Sequence, residues 1–114
     1  MRNRWIYIAT ALECIELIRC YTEGYDLAEF LADRKTQDAV VRNLEVIGQA
    51  LKDYGLEALL DQRPDMPWRQ IVGMRNILAH QYLGVDPVMV WDTAQSQLDP
   101  LRQVLAAMVQ QARN

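Results

Sequence analysis

Apolar residues recur at intervals of three and four along the whole chain and nowhere alternate in the manner of a strand, so the pattern predicts helices throughout. From about Arg4 to Glu23, Trp5, Ile8, Leu12, Ile15 and Ile18 share one side while Glu13, Glu16, Arg19 and Glu23 fall elsewhere. That is an amphipathic helix of about five turns, stopped by Gly24. Asp26 followed three positions later by Glu29 is a variant of the capping box and opens a short helix through Leu31. Asp33, Arg34 and Lys35 read as a charged connection, and Thr36 as the cap of a second long helix with Asp38 in its first turn. The inner stripe of that helix is Val40, Leu44, Ile47, Leu51 and Tyr54, which points to a nearly antiparallel helical neighbour, and Gly55 ends it. Gly48 lies inside this helix at a cost of about 1 kcal/mol in propensity, and close approach of another helix is the simplest reason for it.

The second half follows the same period. Leu56 to Leu60 adds a helical turn, and the two prolines of Arg63-Pro64-Asp65-Met66-Pro67 predict a loop. Pro67 suits the first position of a helix that runs through Trp68, Ile71, Val72 and Met74 as far as the break at Gly84. Asp86-Pro87 opens a final helix with Trp91, Ala94, Leu98, Leu101, Leu105 and Met108 on its inner side. Pro100 interrupts it, so a kink is expected there, or a break with Asp99 as a new cap. The sum is an all-α, up-and-down bundle of four main helices plus one or two short ones, forming a single domain over residues 1–114.

Composition narrows the setting. Half of the 114 residues are apolar, enough for a core without disulfide or metal staples. No run of roughly 18 uncharged residues could span a bilayer, and Glu13 and Glu16 interrupt the only apolar patch near the N-terminus, so no signal peptide is read. A soluble, cytoplasmic protein is expected. Cys14 and Cys20, six apart on one helix, face different sides and read as buried or half-buried thiols of a reducing compartment. One histidine and no CxxC pair argue against a dedicated zinc site. The net charge of −3 argues against a protein that coats nucleic acid through bulk positive charge. Between Arg63 and Tyr82, however, Arg63, Arg69 and Arg75 stand against Asp65 alone, so a polyanion would bind there, with Arg69 as a candidate contact.

That region also holds the chain's one histidine, in Met74-Arg-Asn-Ile-Leu-Ala-His-Gln-Tyr82. A lone His and a lone Arg on a helix more often mean a hydrogen-bonded side chain and a solvated charge than a site. As chemistry, histidine exchanges a proton at a pKa of about 6.5, and arginine holds phosphate oxygens by a bidentate fork. Together they suit metal-free RNA cleavage, in which a base takes the 2′-hydroxyl proton, the oxygen attacks the adjacent phosphorus, and a cation stabilises charge on the phosphate. Asn76 and His80, four apart, are helical neighbours, and Asn76 would orient the imidazole. Arg75 and His80, five apart, diverge by about 140° on a straight helix. Either the helix frays before His80 or a second subunit completes the site across a two-fold axis; the second reading is favoured because it brings two arginines and two histidines into one cleft.

The stretch Arg75-Asn-Ile-Leu-Ala-His80-Gln-Tyr82 is similar to the Arg-x4-His-x-Tyr signature of the HepT-like HEPN ribonucleases, the toxins of HepT/MntA type VII toxin–antitoxin pairs. The resemblance extends to Asp33-Arg-Lys-Thr-Gln-Asp-Ala-Val40, Arg42-Asn-Leu-Glu-Val-Ile-Gly48, Pro67-Trp68, Gly73-Met74-Arg75-Asn76, and Gly84-Val-Asp86 followed by Val90-Trp-Asp92. It implies a homodimeric HEPN bundle acting as a metal-independent endoribonuclease, with transfer RNA as one substrate class and no cofactor. It also implies Arg75 and His80 as the catalytic pair, Asn76 as a supporting group, and Tyr82 as the tyrosine to which a cognate MntA-like nucleotidyltransferase antitoxin adds AMP. The alternative is a non-catalytic HEPN module that binds a nucleotide or docks a nucleotidyltransferase.

Overall fold

In the computed structural model, which describes residues 3–79 and 84–113, the periodic stretches form seven α-helices and, among the described residues, no strand. They are α1 (Trp5–Thr22), α2 (Leu27–Leu31), α3 (Arg34–Tyr54), α4 (Leu56–Gln62), α5 (Trp68–Ala79), α6 (Pro87–Ser96) and α7 (Leu98–Arg113). The all-α expectation holds. Every residue of the predicted α3 stripe is buried: Val40, Leu44, Ile47, Leu51 and Tyr54. They join Ile8, Ile15 and Ile18 of α1, Phe30 of α2, Leu59 of α4, Trp68 of α5, Val90 of α6, and Leu98, Leu101, Val104, Leu105 and Met108 of α7. The long helix α3 touches α1, α2, α4, α5 and α6. Burying each large apolar side chain contributes about 1.5–3 kcal/mol, more than the propensity lost at Gly48.

Both ends of α3 are fastened by polar side chains. At its N-terminus the cap is Asp33, not Thr36: the Asp33 carboxylate accepts the Thr36 backbone N–H at 3.1 Å and the Thr36 hydroxyl at 2.7 Å. It also accepts the Tyr25 hydroxyl at 2.6 Å. These donors hold the Asp33 carboxyl at a pKa of about 2, the Tyr25 hydrogen bond contributing most. The expected charged connection is therefore cap and first turn, because an aspartate offers two acceptor oxygens to three donors where threonine offers one. Asp38 lies beyond the first turn and pairs with Arg34 at 3.1 Å. At the C-terminus, Arg4 donates to the Tyr54 carbonyl from both Nε and Nη2 and lies 4.6 Å from the centre of the Tyr54 ring. The chain then turns at Gly55 with φ 121°, beyond the easy reach of a side-chain-bearing residue.

The Asp26–Glu29 capping box forms as the spacing predicts. The turn after Gly55 is longer than expected and continues as a helix to Gln62, whose side-chain amide donates to the Tyr54 hydroxyl at 2.7 Å. The last helix is two helices. The break falls at Gln97 instead of Pro100, and Asp99 is not a cap but sits in the first turn of α7, paired with Arg102 at 3.3 Å. Pro100 then occupies the first turn, where a missing N–H breaks no helical bond, so nothing forces a kink. Cys14 is buried, and burial raises its pKa; Cys20 departs from expectation in being exposed. No described helix is long and apolar enough to cross a membrane.

Candidate functional site

Arg75 is placed by a contact between backbones. A Cβ built on Gly48 of α3 would lie 3.1 Å from the Arg75 Cβ, 3.1 Å from its backbone nitrogen and 3.3 Å from the Ile71 carbonyl oxygen. The close approach predicted for Gly48 is therefore the seat of α5, and it falls on Arg75. A glycine there lets the two helices meet backbone to backbone, which seats the Arg75 stem directly on α3. The half-buried Arg75 side chain leaves this contact and donates from Nη1 to the Asn76 side-chain oxygen at 3.0 Å. A neutral amide orients the guanidinium without cancelling its charge.

Arg75 opens into a polar cleft of about 420 Å³ bounded by three helices. Tyr7 and Thr10 line it from α1, Arg42, Glu45, Gln49 and Asp53 from α3, and Arg75 and Ala79 from α5. The α3 residues recur at three and four positions, so they form one flank of the helix beside its buried stripe. A larger groove of about 840 Å³ lies between the start of α1 and the end of α7, lined mainly by Trp5, Ile6, Ala9, Leu12, Val109 and Ala112. Its walls offer apolar contact and little that could handle charge, so the smaller cleft is the better candidate for chemistry.

The predicted site residues divide. Arg75 and Asn76 come together, and Asn76 is seen on the arginine. His80 and Tyr82 lie outside the described residues, and with them the expected Asn76–His80 contact. Arg69 is exposed on the first turns of α5, six residues before Arg75 and about 120° away around the axis, and does not line the cleft. Nor is the local positive excess as large as the composition suggests. Arg63 grips Asp65 by two hydrogen bonds of 3.0 and 2.8 Å, which lowers the Asp65 pKa and raises that of Arg63. Arg42, Gln49 and Tyr7 are cleft residues that sequence reasoning did not single out; the polar spacing Arg42, Glu45, Gln49 beside the apolar stripe was the available signal.

The described residues thus define an all-helical bundle that seats Arg75 at the edge of a polar cleft. More narrowly, the chain belongs to the Ribonuclease HepT-like family, whose pattern it matches over residues 11–108. It is 38% identical over 101 residues to the "Probable ribonuclease HepT" of Thermococcus cleftensis, covering 89% of this chain and 91% of that one. Several other relatives carry the designation "Putative RNase". One, from Methanocaldococcus jannaschii, is 37% identical over 86 residues, 75% of this chain and 70% of its own. Another, from Caldanaerobacter subterraneus subsp. tengcongensis, is 29% identical over 107 residues, 94% of this chain and 95% of its own. No solved structure matches the chain.

Proposed function

We propose that the protein is a metal-independent endoribonuclease whose catalytic pair is Arg75 and His80, acting as the toxin of a toxin–antitoxin pair. The observation that carries this reading is the seating of Arg75 on Gly48, which holds a guanidinium with a neutral partner at the edge of a polar cleft. Membership of a ribonuclease family supplies RNA as the polyanion. In the reaction, an imidazole takes the 2′-hydroxyl proton, and the 2′-oxygen attacks the adjacent phosphorus. The bond from phosphorus to the 5′-oxygen breaks, and that oxygen leaves with a proton from a second imidazole or from water. Arg75 stabilises the extra charge on the phosphoryl oxygens. The products are a 2′,3′-cyclic phosphate and a 5′-hydroxyl.

The five-residue interval between Arg75 and His80 supports a homodimer in which one subunit's arginine works with the other's histidine. Asn76 positions the Arg75 guanidinium. Tyr82 is the regulatory residue: AMP added to its hydroxyl by a partner nucleotidyltransferase puts bulk and negative charge two positions from His80, where an RNA phosphate must sit. The test is RNA cleavage in EDTA with identification of the product ends. Cyclic phosphate from the wild type, and loss of at least about 10²-fold in turnover in both Arg75→Ala and His80→Ala, are expected. Full turnover in the two variants overturns the assignment, and RNA binding without cleavage by the wild type turns it into a binding module.

A further inference from the structure

Among the described residues, four arginines close on a carboxylate: Arg19 on Glu16, Arg34 on Asp38, Arg63 on Asp65 and Arg102 on Asp99. Arg4 is taken up by the end of α3. Arg42 differs. It is exposed, it lines the cleft that Arg75 opens into, and it makes no hydrogen bond or ion pair with any described residue. Glu45 is three positions on and close enough on a helix for a pair, yet none forms. Burial and Glu13 raise the pKa of the Cys14 thiol on α1, and the Arg42 charge works against them. Arg42 shares the cleft lining with Tyr7 and Thr10 of α1. Asp53 is far from it, eleven residues or about 16 Å along α3, and its carboxylate is engaged by the Gln49 amide at 2.9 Å. The cleft as a whole carries two arginines, Arg42 and Arg75, against two carboxylates, of which Asp53 is engaged by Gln49 and Glu45 alone lies within one helical turn of Arg42.

We propose that Arg42 is a substrate-positioning residue, and that the cleft between α1, α3 and α5 is a backbone subsite in which Arg42 holds a phosphodiester neighbouring the one met by Arg75. The proposal rests on the ribonuclease reading above. Arginine suits the task because its planar fork matches two phosphate oxygens and its charge does not titrate away. A contact of this kind binds substrate and transition state alike, so it acts on KM and leaves kcat almost untouched.

The experiment measures cleavage of a single-stranded RNA at several salt concentrations by the full chain and its Arg42→Ala, Arg42→Lys and Glu45→Gln variants. Arg19→Ala serves as a control with the same loss of charge outside the cleft. In Arg42→Ala, KM rises several-fold, kcat stays within about twofold, and the dependence of log KM on log salt weakens by about 0.7, the share of one phosphate contact on a single strand. Arg42→Lys recovers part of the affinity, Glu45→Gln lowers KM, and Arg19→Ala changes neither quantity. An unchanged KM and salt slope in Arg42→Ala, while Arg75→Ala has lost turnover, overturns the subsite and leaves the role of Arg75 standing. Full turnover in Arg75→Ala overturns that role, and the subsite with it. Unaltered RNA kinetics in Arg42→Ala together with lost binding to a nucleotidyltransferase also overturns the subsite, since Arg42 then serves a protein partner.

Discussion

The two ends of α3 and the flank in its middle use polar chemistry in opposite ways. At the N-terminal end the Asp33 carboxylate collects Tyr25, the Thr36 hydroxyl and the Thr36 amide, and at the C-terminal end Arg4 takes the Tyr54 carbonyl. Those groups satisfy one another and hold the helix in place. Along the flank Arg42 has no partner among the described residues, and against it on α5 Arg75 has a neutral one in Asn76. A buried or half-buried polar group that is fully partnered rigidifies a fold, whereas a cation left without a counter-charge at a cleft is available to an anion from outside. The contrast sets polar groups that fasten α3 beside polar groups left open at the cleft it shares with α1 and α5.

Two substitutions sharpen that contrast. The larger effect belongs to Gly48→Ala. The added methyl meets the Arg75 backbone, not the tip of a flexible side chain, so α5 must retreat by a few tenths of an ångström. A fall in turnover on the order of tenfold is expected with the helical circular dichroism unchanged, since misplacement by about 1 Å costs about 10²-fold. Undiminished turnover would detach Arg75 from its seat on Gly48.

The smaller effect belongs to Asp33→Asn, which leaves one acceptor for the Thr36 amide but sets an amide donor where two hydroxyls need an acceptor. The Asp33 pKa of about 2 lies below the ordinary value near 3.9, so its contribution to stability is full above about pH 4 and is lost as pH falls through about 2. The variant should melt at a lower temperature at pH 7, lose less of its stability between pH 4 and pH 2, and cleave RNA as the wild type does. Identical acid profiles for the two proteins would show that the Asp33 cluster does not fasten α3.

The helices and their inner faces were legible in the sequence because one period runs through every segment, and burial follows that period at Ile8, Ile15, Leu44, Ile47, Leu51 and Leu105. Caps were harder to read. Asp33 and Thr36 are both good cap residues three positions apart, and the choice was made by Tyr25, a tertiary partner that local reasoning does not see. Pro100 misled for a related reason: a proline marks either an interruption or a first turn, and the break at Gln97 decides between them. For the site, Gly48 announced a close contact, but only the fold shows that the contact falls on Arg75. Arg42 was hidden because a single arginine on a polar flank looks like any solvated charge until its neighbours across the cleft are known. Arg63 was overvalued because a count of charges ignores the ion pair with Asp65.

The most direct test of the account is subunit complementation. Arg75→Ala and His80→Ala proteins, each inactive alone, are mixed under conditions that exchange subunits, and RNA cleavage is followed. If each site joins the arginine of one subunit to the histidine of the other, a mixed dimer contains one site with both residues missing and one fully intact, so cleavage returns. If Arg75 and His80 of the same subunit work together, every site in the mixed dimer lacks one of them. Failure of cleavage to return, with mixed dimers demonstrably formed, contradicts the account.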